Sequence, residues 1–200
     1  MSNVAVKYRY TPEEYLALER KAYYKSEYVN GQIYAMSGAR RKHNLIAGNI
    51  FGGLWLQFKN LQCEVYMNDM RVKVSPTGMY TYPDVVAVCG DIRLEDAHND
   101  TLLNPTVIVE VLSDSTEAYD RGEKFVHYRR LESLQEYLLV AQDQVLVEHY
   151  VRQGKLWVLT EESNPDGIVH LVSIDCTLSL KEVYDKVEFS DSDNVIKAEL

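Results

Sequence analysis

Cysteine is scarce in this chain, and positive charge is outweighed. The 200 residues hold three cysteines, Cys63, Cys89 and Cys176, odd in number, far apart and without a C-x-x-C spacing. Such a set suggests neither a disulfide framework nor a zinc site, and a reducing cytoplasm fits it best. No basic start runs into an apolar stretch as a secretory leader would, and no run nears the roughly 18 apolar residues needed to span a bilayer. The expectation is a soluble cytoplasmic protein with no membrane partner. Repeats, low-complexity tracts and linkers are also missing, which leaves one domain over 1–189 and an acidic tail, 190–200, expected to fray. Lys and Arg number 21 against 30 Asp and Glu, a net charge of −9, which argues against a protein that coats nucleic acid by bulk electrostatics. The shortage is uneven, because residues 1–43 carry eight Lys and Arg against four acids and could form a locally basic face.

What is present is ordinary for a globular chain, 46% hydrophobic and 26% charged, and long enough to bury one substantial core. Thr11-Pro12-Glu13-Glu14 combines a capping threonine, a first-turn proline and early acids, a helix start that runs to about Arg20. Two strand-like runs flank Asn30-Gly31, a dipeptide that tolerates the positive φ of a tight hairpin turn. Between Arg41 and Lys59 the apolar Ile46, Ile50, Leu54 and Phe58 recur every four positions and predict a long core helix. Strands are expected at about 62–67, 70–75, 82–89 and 105–112, with a polar loop from Gly90 to Asn104. A helix over about 115–132 follows, then strands near 136–141, 144–151, 155–160 and 168–172, and a short helix from Leu178 to Val187.

Two acids break the pattern of their surroundings. Pro105 to Leu112 is apolar on both alternating faces, as a strand covered on both sides is, yet Glu110 stands in its middle. An ionised carboxylate there costs several kcal/mol or more unless it is paired or holds a metal. Asp84 opens a second such strand, Tyr82-Pro83-Asp84-Val85-Val86. The other Pro-Asp, at 165–166, sits between Asn164 and Gly167 and reads as a turn. Two acids on neighbouring buried strands can converge on one cation, or Glu110 can form a structural ion pair. The helix after Glu110 sets Asp120, Lys124, His127 and Leu131 on one side, where Lys124 could stabilise charge developing on a phosphate.

The ordered motifs T-P-E-E-Y-L-A-L (11–18), E-Y-V-N-G-Q-I (27–33), H-N-L-I (43–46), Y-P-D-V-V-A-V (82–88), V-E-V-L-S-D-S-T (109–116) and D-R-G-E-K-F-V-H-Y (120–128) resemble the Uma2 family, also known as DUF820, over about residues 10–187. The resemblance implies a restriction endonuclease-like α/β fold, a central mixed sheet flanked by helices, with an N-terminal hairpin and C-terminal antiparallel strands. It implies Asp84 and Glu110 as the metal-binding catalytic pair of a PD-(D/E)XK nuclease. The lysine expected two residues after the second acid is Leu112 here, and Lys124 matches the helix lysine that replaces it. Glu27 and His43 match further family positions, whereas Gln32 stands where an acid is usual.

The expected cofactor is Mg2+, which binds through one or two carboxylates and keeps several waters, with Mn2+ able to substitute. Glu27 is a candidate third ligand or a partner of a nearby cation. His43, Tyr128 and Asp120 are candidate substrate contacts, and His43 reads equally as a hydrogen-bonded core residue. The expected substrate is nucleic acid, DNA in first place, cut by a homodimer. A catalytically silent module of the same fold that binds protein or nucleic acid is the competing reading.

Overall fold

A computed structural model describes residues 8–189, so the expected frayed tail lies outside the described residues. Helix α1 (Pro12–Glu19) opens on a capping box, in which Thr11 and Glu14 satisfy each other's backbone N–H groups. Strands β1 (Ser26–Val29) and β2 (Gln32–Ala35) form the expected hairpin. Its turn residues Asn30 and Gly31 have φ of 50° and 82°, the left-handed region that asparagine and glycine tolerate best. Helix α2 (Arg41–Phe58) buries Ile46, Ile50, Leu54 and Phe58 on one stripe, as the four-residue spacing predicts.

The strands that follow are β3 (Cys63–Met67), β4 (Arg71–Val74), β5 (Met79–Thr81), β6 (Val85–Cys89), β7 (Thr101–Leu102) and β8 (Val107–Leu112). A helical stretch then runs through α3 (Glu117–Tyr119), a π-helical turn (Asp120–Lys124) and α4 (Phe125–Tyr128). Strands β9 (Glu136–Ala141), β10 (Val147–Gln153), β11 (Leu156–Glu162), β12 (Ile168–Leu171) and β13 (Cys176–Ser179) lead to helix α5 (Leu180–Val183). The helix expected over 115–132 is thus shorter and carries a π turn. It stops at Tyr128, where the Arg152 guanidinium donates to the carbonyls of Arg129, Leu131 and Leu134, partners that the chain beyond a helix end otherwise lacks.

The strands divide into a six-stranded sheet ordered β11-β10-β9-β8-β6-β3, a five-stranded sheet ordered β2-β1-β5-β4-β7, and the hairpin β12-β13. The larger sheet is mixed, since β8 and β9 run parallel while its other pairs are antiparallel. Side chains alternate across β8. Val107, Val109 and Val111 join the core under α2 and α5, whereas Ile108 and Leu112 join the core with β4, β5 and Tyr128. Glu110 shares the second face, and so points toward the helical stretch that follows its own strand.

One expectation is corrected here. Cys63 and Cys89 are bonded as a disulfide, and only Cys176 is free among the described residues. The antiparallel register of β3 and β6 sets the two directly opposite each other, a proximity that a sequence separation of 26 conceals.

Candidate active site

Three segments meet at Glu110. Its Oε1 lies 2.9 Å from Lys124 Nζ and accepts the Tyr128 hydroxyl at 2.8 Å, while Oε2 accepts the Asp84 N–H at 3.4 Å. Asp84 stands immediately before β6. Its Oδ2 accepts the Val111 N–H at 2.8 Å, and Oδ1 is 2.9 Å from His43 Nε2 near the start of α2. Pairing of β6 with β8 brings the two acids together, as the two apolar strands had implied.

Lys124 is shared. Besides Glu110, its ammonium lies 3.2 Å from Glu27 Oε1 and 3.5 Å from Asp120 Oδ1. Glu27 belongs to β1 of the smaller sheet, whose register with β5, Tyr28 opposite Tyr80, sets Glu27 across from Thr81. The Thr81 hydroxyl donates to Glu27 Oε1 and lies 3.2 Å from the Tyr128 hydroxyl, and the Tyr82 N–H donates to the same carboxylate oxygen at 3.3 Å. The π turn carries Asp120 and Lys124 inward together, both buried, and such turns recur at functional sites. His127, expected on the same side, instead lies 2.8 Å from Thr77.

Burial orders the residues from floor to mouth. Tyr128 is fully buried, and Glu110, Asp120 and Lys124 are buried at 3%, 3% and 5% exposure. The side chains of His43 and Asp84 keep 13% and 15% exposure and form the accessible side. Tyr128 and Asp120, expected against substrate, therefore face the interior network, and His43 is the one of the three that stands beside the accessible acid.

The electrostatics follow from sharing one ammonium among three carboxylates in a poorly solvated place. Burial pushes the Glu110 carboxyl well above the usual range, with Asp120 and Asp84 adding to the rise against Lys124. Asp120 is raised first by burial as well. Burial works downward on Lys124, but Glu110, Tyr128, Glu27 and Asp120 outweigh it and hold that group well above an ordinary lysine. Burial, then Glu110, pushes the Tyr128 phenol upward, so it stays a hydrogen-bond donor.

Among the described residues no group of three or more His, Cys, Asp or Glu forms a preformed metal cage. The pair of hard carboxylates at Asp84 and Glu110 still fits Mg2+, an ion that needs only one or two carboxylates and retains waters. The surplus of acids over the single lysine supplies negative charge for it to offset. Thr81 escaped sequence reasoning. No local pattern marks it, because its strand is only three residues long.

Acids from adjacent strands and a lysine from the following helix, on a mixed sheet flanked by helices, define a restriction endonuclease-like class of fold. The Uma2 family model, described as "Putative restriction endonuclease", matches residues 12–180, and the chain belongs to the Uma2 family. Two uncharacterized proteins of Synechocystis sp. are similar: sll1609 is 38% identical over 152 residues, covering 76% of this chain and 86% of that one. The other, slr1290, is 34% identical over 180 residues, covering 90% and 93%. A crystal structure from Anabaena variabilis, of a "putative nuclease belonging to DUF820", matches with a TM-score of 0.73 at 20% identity, covering 89% of this chain and 99% of that one. At that identity the likeness shows the fold.

Proposed function

We propose that this chain is a divalent-metal-dependent endonuclease that hydrolyses phosphodiester bonds of nucleic acid, DNA in first place. The observation that carries the reading is the meeting of Asp84, Glu110 and Lys124 from three separate segments around one partly accessible point. Asp84 and Glu110 would hold Mg2+, with Mn2+ able to substitute. When bound, the ion supplies Lewis-acid polarisation of a phosphoryl oxygen and eases deprotonation of a nearby water.

The chain's own groups do the rest. Lys124 supplies positive charge next to Glu110, where charge developing on the phosphate is stabilised by a preorganised cation. Glu27, fixed by Thr81 and the Tyr82 N–H, holds Lys124, the cation-partner role of the two expected of it. Tyr128 orients Glu110 by donating to Oε1 and leaves Oε2 facing Asp84. His43 orients Asp84 and is the candidate contact to substrate on the accessible side. Leu112, where related nucleases carry lysine, belongs to the apolar core, so the cation has to come from the helix.

The silent-module reading draws on one observation: Glu110 has partners for both oxygens within the chain. A panel of single-stranded DNA, duplex DNA and RNA, incubated with Mg2+ or Mn2+ beside Asp84→Asn and Lys124→Ala proteins, separates the two. Cleavage lost in both variants supports the enzyme and names its substrate. Intact substrate in every lane favours the silent module.

A further inference from the structure

We propose that the outer edge of β3, with the end of α2 above it, is the interface through which two copies of this chain pair, β3 against β3 in antiparallel register about Val65. This inference is independent of the nuclease reading. Among the described residues no strand pairs with the outer edge of β3 in the six-stranded sheet, and such an edge presents backbone donors and acceptors that another strand can take up. Beside it, Trp55 of α2 is 52% exposed, and Leu61 and Met67 are each 38% exposed. A groove of about 280 Å³ runs between Trp55, Lys59 and the strand residues Cys63 to Tyr66. Large apolar side chains clustered around a groove mark an interaction surface.

Charge and register argue that the occupant is a second copy. A two-fold axis at Val65 sets Val65 opposite Val65, Glu64 opposite Tyr66 and Cys63 opposite Met67, so no like charges face each other across the pair. Glu64 already accepts a hydrogen bond from Tyr66 within one chain, a pairing that the register can repeat between chains. Lys59, whose ammonium lies 4.8 Å from the Trp55 ring centroid, balances Glu64 within the patch. Opposed residues of an antiparallel pair point to the same side of the sheet. The pairing therefore also brings the grooves and the Trp55 side chains of the two copies to one side of the joined sheet.

The test is the mass of the full chain by size-exclusion chromatography with multi-angle light scattering, run over a concentration series. A mass twice the 23.0 kDa of one chain is expected. Trp55→Glu, at a groove residue that is 52% exposed, should halve that mass while leaving the melting temperature and circular dichroism of the fold intact. Val65→Cys should yield a covalent dimer on oxidation, linked from position 65 to position 65 in peptide mass spectrometry. A monomeric wild type at every concentration overturns the proposal. So does a dimer that survives Trp55→Glu, or one that forms no 65-to-65 link in a folded Val65→Cys protein.

Discussion

Replacing Lys124 with methionine keeps most of the side-chain length and removes its charge, leaving Glu27, Glu110 and Asp120 without the ammonium that lies within 3.5 Å of each. All three are buried. Breaking a buried pair by deleting one partner costs about 3–5 kcal/mol, because the remaining charge is uncompensated. At about 2–4 °C per kcal/mol for a chain of this size, Lys124→Met should lower the melting temperature by about 6–20 °C. Glu110→Gln should be milder, about 1–3 kcal/mol, since Lys124 keeps Glu27 and Asp120 and the cluster loses one acid from a surplus. The double variant should fall well short of the sum, as expected for residues in one network. Urea denaturation of the four proteins measures this. A cost below about 1 kcal/mol for Lys124→Met, or a larger cost for Glu110→Gln, would show that Lys124 does not neutralise these buried acids.

Other expectations follow from single features. Glu136 is fully buried, with one oxygen bonded to His149 and the other accepting the Ser173 N–H at 2.6 Å. Burial would raise its pKa, but the bonds to His149 and Ser173 hold it below the usual 4.5. A depressed carboxylate contributes stability that is present above the unfolded value and lost as pH falls through the folded one. The stability gap between wild type and Glu136→Gln should therefore narrow below about pH 4.5, and a constant gap in acid melting curves would contradict it. The disulfide closes a sequence separation of 26, for which loop-closure entropy gives about 3–4 kcal/mol. Reductant should lower the melting temperature, and thiol titration of the denatured, unreduced chain should find one free thiol, that of Cys176. Thr81→Val should cost about 1–3 kcal/mol by removing a buried donor from Glu27, and Thr81→Ser should restore most of it.

The site was legible where a residue contradicted its surroundings. Glu110 in a doubly apolar strand demanded a partner, and Asp84 at the head of another supplied a neighbour. The hairpin at Asn30-Gly31 and the stripe of α2 were written in local spacing and came out where expected. What stayed hidden depends on contacts between distant segments. Strand β5 is three residues long, too short to display alternation, and only its pairing with β1 sets Thr81 across from Glu27. Periodicity put Asp120 and Lys124 on one side of a helix, but it carries no depth, so nothing local revealed that Asp120 and Tyr128 face inward. Nor did it show the π turn or the early stop at Tyr128, which Arg152 secures from β10. The strands had read as one sheet because alternation says which residues are buried and is silent on which strand pairs with which. The sheet register likewise joins Cys63 to Cys89.

Calorimetric titration of Mg2+ and Mn2+ into the metal-free protein tests whether Asp84 and Glu110 together hold a divalent ion, without relying on trace-sensitive cleavage assays. One site per chain is expected in the wild type, lost in both Asp84→Asn and Glu110→Gln while each variant remains folded. No binding to the wild type, or binding that both variants retain unchanged, would contradict it.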